Sequence, residues 1–195
     1  MKKLLLVITS LILLNACQST STSKTSLVKP ATHQATGILA PATINDLTRV
    51  KMTDYAAVTK SSSISYKNVT SIISTYFRAN DITDVKYFDS SKQVINAFYK
   101  VDAAVFEDEI TYELNGQPYK ANVFRGYDST MLKSGDPLSL AKIYSVIVFN
   151  YGDYIIKVRH DNFGFVGAQY NNESANFKFK AEQLFLNELL KTLVL

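Results

Sequence analysis

The sequence predicts an α+β domain: an antiparallel sheet of about six strands, packed by a helix on its N-terminal side and by a C-terminal helix. Two hairpin signals and one helical repeat carry that expectation. Asn115-Gly116 stands between the strand-like runs 110–114 and 119–124. A type I′ turn needs positive φ at both central residues, which Asn and Gly tolerate best. Tyr151-Gly152 separates the runs 143–150 and 153–160 in the same way. Leu186, Leu189, Leu190 and Leu193 repeat at helical spacing within 174–194. Hairpins bounded by helices settle as one sheet with helices packed on it.

In chain order, Val69, Ile72, Ile73, Tyr76 and Phe77 fall on one helical stripe, with Asn68 as N-cap and Asn80-Asp81 as the stop. Thr, Ser and Ile are weak helix formers, so this first helix depends on docking its stripe. From Asp84 the period shortens: 85–88 reads as a short strand and 94–106, with Phe98, Val101 and Val105, as a longer one. Pro118 places that end of the Asn-Gly hairpin at an edge, because proline has no N–H for a ladder. A polar connection, 126–137, ends in Gly135-Asp136-Pro137. Ile143, Val146, Ile147, Val148 and Phe149 cover both faces of the next strand, which marks it as central. Residues 161–173 read as a loop. Lys178 and Glu182, four apart, are expected to pair on the polar face of the last helix.

This order of elements, with the hairpin 143–159 feeding after a gap into 181–193, resembles the PsbP/DcrB-like domains of bacterial and photosynthetic lumenal proteins, some of them lipoproteins. The resemblance covers residues 66–195 as a pattern of elements. It implies a sheet between an early and a terminal helix. No motif of that family is matched, so it carries over no functional residue.

The N-terminus has its own signature. Lys2 and Lys3 precede an uncharged run, residues 4–14, and then Leu14-Asn15-Ala16-Cys17. The run is shorter than the ~20 residues that span a bilayer, so it reads as a removable signal. The last four residues resemble the lipobox of bacterial lipoproteins, with Asn15 larger and more polar than usual. The resemblance implies cleavage after Ala16 and lipidation of Cys17. Gln18, where an aspartate would commonly hold a lipoprotein at the inner membrane, implies the outer membrane, facing the periplasm; display on the cell surface is the alternative. Three acyl chains, at ~0.8 kcal/mol per buried methylene, would hold the protein without a spanning helix. Residues 1–16 are thus expected to be signal and 17–43 a lipidated, flexible, Ser/Thr-rich tether; 44–195 would be one globular domain. Cys17 is the only cysteine, so the mature chain has no free thiol for a disulfide, a nucleophile or a metal.

The net charge is +4, but residues 51–195 carry equal numbers of acidic and basic side chains. That domain has no surplus for a phosphate-neutralising stripe, which argues against nucleic acid. His33 falls in the tether. His160 is the one candidate base, and its neighbour Asp161 would point to the other side of a strand; Gly-x-Ser-x-Gly is absent. Two separated histidines do not make a zinc site. Asp102, Glu107, Asp108, Glu109 and Glu113 form the only acidic cluster, placed between strands as a solvated turn. The aromatic stretch Phe163, Phe165 and Tyr170, uncharged between Asp161 and Glu173, is the candidate contact loop. The expectation is a non-enzymatic, cofactor-free envelope lipoprotein that works by contact with another envelope protein, as accessory subunit or immunity-type partner. The alternative is a module that holds a lipid or small apolar ligand between sheet and helix. A third reading is an envelope hydrolase built on His160 and the acidic cluster.

Overall fold

The computed structural model describes residues 28–56, 60–79, 81–99, 103–128, 138–167 and 179–193. The signal, Cys17, Asp102, Tyr170 and Lys178 lie outside them. In chain order the elements are β1 (Ala31–Thr32), β2 (Leu39–Ala40), β3 (Thr43–Ile44), β4 (Leu47–Ala56), β5 (Ser61–Lys67), β6 (Ser71–Ala79) and α1 (Asp84–Tyr99). Then come β7 (Ala103–Leu114), β8 (Gln117–Tyr127), β9 (Leu138–Tyr151), β10 (Tyr154–Gly167) and α2 (Lys180–Leu190). β1 and β2 pair with each other, and the other eight strands form one sheet in the order β3-β4-β5-β6-β10-β9-β8-β7. Every pairing is antiparallel.

The sheet is two four-stranded meanders joined through their last strands, β6 and β10. α1 crosses β10, β9 and β8 to bring the chain from β6 to the far edge. Side chains alternate between the two faces. On one face, Phe185, Leu186, Leu189 and Leu190 of α2 pack on Tyr66, Phe77, Tyr112, Ile147, Phe149 and Val158. On the other, Tyr87, Phe88 and Ile95 of α1 cover Phe124, Tyr144, Val146, Val148 and Ile155. Over 143–149, β9 is therefore buried on both sides, as its apolar run requires.

The α+β class holds, with eight strands in the main sheet rather than about six. The Asn-Gly turn is present, with φ 51° at Asn115 and 78° at Gly116. The second hairpin turns through Gly152, at φ 57°. Pro118 pairs with Glu113 of β7, while the β8–β9 ladder begins only at Ala121, so the proline nitrogen faces no strand.

Four expectations are corrected. The helix expected over 68–80 is strand β6: its β-branched residues favour a pleat, and the stripe members Val69 and Ile72 are exposed. Asn68 caps the β5–β6 turn, its Oδ1 accepting from the amides of Thr70 (2.9 Å) and Ser71 (2.7 Å). Residues 84–99 are helical, with Tyr87, Phe88, Ser91 and Ile95 buried on one face and Val85 and Val94 outside. Thr83 starts that helix by accepting from the Lys86 amide at 3.3 Å. Residues 161–167 are no loop but the far half of β10, paired to β9 as far as Gly167 opposite Leu138. The packed body also reaches back to residue 31, well before Ile44: His33, Ile38 and Ala40 are fully buried. Arg49 bonds the carbonyls of Lys29 and Ala40, and the Tyr66 hydroxyl donates to Pro41 at 2.8 Å.

Candidate functional site

Chemistry is concentrated where β6 meets β10. The register sets Tyr76 opposite Lys157 and Ser74 opposite Arg159. Period-2 alternation then turns Tyr76, Arg78, Lys157 and Arg159 to the α1 face. α1 arches over them with Tyr87, Val94 and Ile95, and a groove of about 360 Å³ remains between helix and sheet. One wall is cationic and aromatic; the other, with Val94, Ile95 and Val146, is apolar.

The three cations are not equivalent. Arg78 is held by Asp81, with Nη2–Oδ2 at 2.9 Å, and Arg159 by Asp161, with Nη2–Oδ2 at 2.6 Å. Lys157 has no carboxylate within ion-pair distance among the described residues; its Nζ sits 4.3 Å from the Tyr76 ring centroid and 4.8 Å from that of Tyr87. Cation–π contact compensates only part of the hydration lost. Burial, with Arg159 and Arg78 adding repulsion, accordingly lowers Lys157 to about 8. Burial also lifts the Tyr87 hydroxyl to about 12, so it stays a neutral donor.

A second polar assembly lies on the α2 face. One row across the sheet places Arg125 opposite Ser145, Ser145 opposite His160 and His160 opposite Ile73. Glu182 reaches down from the first turn of α2 and is fully buried. Its Oε1 accepts from Arg125 Nη2 at 2.8 Å and bonds His160 Nδ1 at 2.7 Å. On the other side of the ring, Nε2 meets Ser71 Oγ at 2.6 Å. Arg125 also donates from Nε to Ser145 Oγ at 2.8 Å and lies 4.2 Å from the Phe179 ring centroid. Glu182 therefore belongs to the buried face of α2 rather than to its exposed polar face; Lys178, its expected partner, lies outside the described residues. His160 is oriented by Glu182, while Asp161 faces the other way to Arg159, as alternation requires.

His33, expected in a free tether, is tied down: Nδ1 meets Thr36 Oγ1 at 2.7 Å and Nε2 donates to the Thr53 carbonyl at 3.1 Å. Glu107, Asp108 and Glu109 stand within the edge strand β7 rather than in a turn. Glu107 pairs with Lys92, and Glu109 with Lys120 at 3.0 Å. Among the described residues no group of acidic, histidine and cysteine side chains could hold a metal ion.

Of the expected contact loop, Phe163 is 44 % exposed, beside the exposed Ile72 and Val69. Phe165 pairs with Leu140 in the ladder, and Tyr170 lies outside the described residues. Lys157 and Ser71 are not singled out by the sequence reading, and Tyr76 and Glu182 enter it only as a helical-stripe member and an ion-pair partner. A readable signal existed for Lys157 and Tyr76: Lys157-x-Arg159 and Tyr76-x-Arg78 place polar side chains two apart, on one face of a strand.

No protein-family model matches the chain, and no curated protein matches it.

Proposed function

We propose that this protein is an outer-membrane lipoprotein, anchored through Cys17 and facing the periplasm, whose folded body captures a small amphiphile with an anionic head in the α1 groove. The observation that carries the reading is Lys157, a largely buried ammonium with no carboxylate partner among the described residues, which lines the groove together with Val94, Ile95 and Val146. An anionic head would supply the charge-assisted hydrogen bond that Lys157 lacks, and Val94, Ile95 and Val146 would take the tail. The volume, about 360 Å³, suits a short-chain ligand. Decanoate is a suitable probe, measured by calorimetry on a form that begins at Gln18. Lys157→Met keeps the stem and removes the charge. It should weaken decanoate at least tenfold without loss of fold; equal affinity in the two forms would refute the assignment.

Contact with another envelope protein is the second reading, supported by the exposed trio Val69, Ile72 and Phe163. Lys67 and Lys142 border it, so the partner surface would be apolar with an acidic rim. Phe163→Ala should then weaken capture of that partner yet leave the melting temperature nearly unchanged. A buried phenylalanine would instead cost ~3–5 kcal/mol on truncation.

A further inference from the structure

Hydrogen-bond logic sets the tautomer of a neutral His160 ring and, with it, the donor role of the Ser71 hydroxyl. The Arg125 guanidinium can only donate, so Glu182 Oε1 accepts from it and also accepts from His160 Nδ1. Nδ1 therefore carries the ring proton, and in the neutral ring Nε2 presents a lone pair. Ser71 Oγ, 2.6 Å from Nε2, is then the donor. That is a serine hydrogen-bonded to a base which a third group orients. Ser71 is the first residue of β6, directly after the turn capped by Asn68, and it is only half-buried. It borders a pocket of about 300 Å³ at this end of the sheet, whose members Ile72 and Phe163 lie by alternation on the α1 face, while the Ser71 side chain turns to His160 on the other.

We propose that Ser71 is the nucleophile of an ester-hydrolysing site, with His160 as general base and Glu182 as the positioning residue. This site lies on the opposite face of the sheet from the Lys157 groove and is independent of it. Ser71 Oγ forms a bond to the ester carbonyl carbon while its proton passes to His160 Nε2. Collapse breaks the bond to the alcohol oxygen, which leaves with that proton. Water then attacks the acyl-serine, giving its proton to Nε2. The free acid departs and the Ser71 hydroxyl is restored. Ester and water thus become acid and alcohol, with no other reagent.

The test uses membranes that carry the full chain, treated with a fluorescent alkyl fluorophosphonate, which phosphonylates activated serines. Peptide mass spectrometry should locate the adduct on Ser71, and Ser71→Ala should lose it while melting as the wild type does. Glu182→Gln should slow labelling by ~10²-fold, the scale of general-base assistance, and alter its pH profile, which a merely structural role would not do. Failure of folded wild-type protein to label, or equal labelling of Ser71→Ala, would overturn the proposal. So would a Glu182→Gln protein that folds and labels at the wild-type rate. If Glu182→Gln does not fold, the Ser71→Ala comparison alone decides.

Discussion

Lys157 ties stability and binding to pH with opposite signs. Its folded pKa is about 8 against 10.5 for the ordinary side chain. Below pH 8 both folded and unfolded chains hold the proton, and the full cost of burying the charge is present. Between 8 and 10.5 the unfolded chain binds more protons, so stability rises with pH. Tyr66 and Tyr87, lifted to about 12 by burial, act the other way above 10, where only the unfolded chain ionises these two hydroxyls. The melting temperature should therefore rise from pH 8 toward 10 and fall beyond it, and Lys157→Met should flatten the rise. Decanoate affinity should fall over the same interval as the ammonium is lost. A wild-type melting curve that is flat from 8 to 10 would count against the burial of this charge. Glu182 shows why such residues stay hidden in sequence: an acid at the start of a helix also satisfies the helix dipole. Only the packing of α2 on Arg125 reveals that it is buried.

Elements with a local cause were readable, and those with a distant cause were not. Asn115-Gly116 fixes its hairpin through φ at two adjacent residues, and Gly152 fixes the second. The leucine repeat of α2 and the two-sided apolar run of β9 likewise need no information from elsewhere. β6 misled because five apolar residues at helical spacing also fit a strand that keeps Ile73 and Phe77 on one face. α1 misled for the complementary reason. Its buried face is Tyr87, Phe88, Ser91 and Ile95, and a buried serine breaks the apolar stripe. The Ser91 hydroxyl donates to the Tyr87 carbonyl one turn back at 2.7 Å, which removes the cost of its burial. That exchange of helix and strand hid both candidate sites. The groove needs α1 above β6, and Ser71 needs β6 to run beside β10.

For the whole molecule, the decisive pairing is β6 with β10, strands separated by the entire second meander, and no local pattern encodes it. The outer edge at β7 is protected by Glu107, Asp108 and Glu109, charges that discourage strand addition. No helix among the described residues is long and apolar enough to cross a membrane, and the attachment proposed above is through Cys17. Growth with an alkyne fatty acid should label the wild type. A Cys17→Ser variant should stay unlabelled and heavier, because the signal is removed only after the thiol is alkylated; a labelled Cys17→Ser protein would overturn the lipobox reading. The destination is a separate question, and the proposal for it rests on Gln18. If Gln18 directs the protein outward, wild type should sediment with the outer membrane. Gln18→Asp should then move it to the inner membrane with labelling unchanged, since the substitution alters sorting and leaves the acylated cysteine intact.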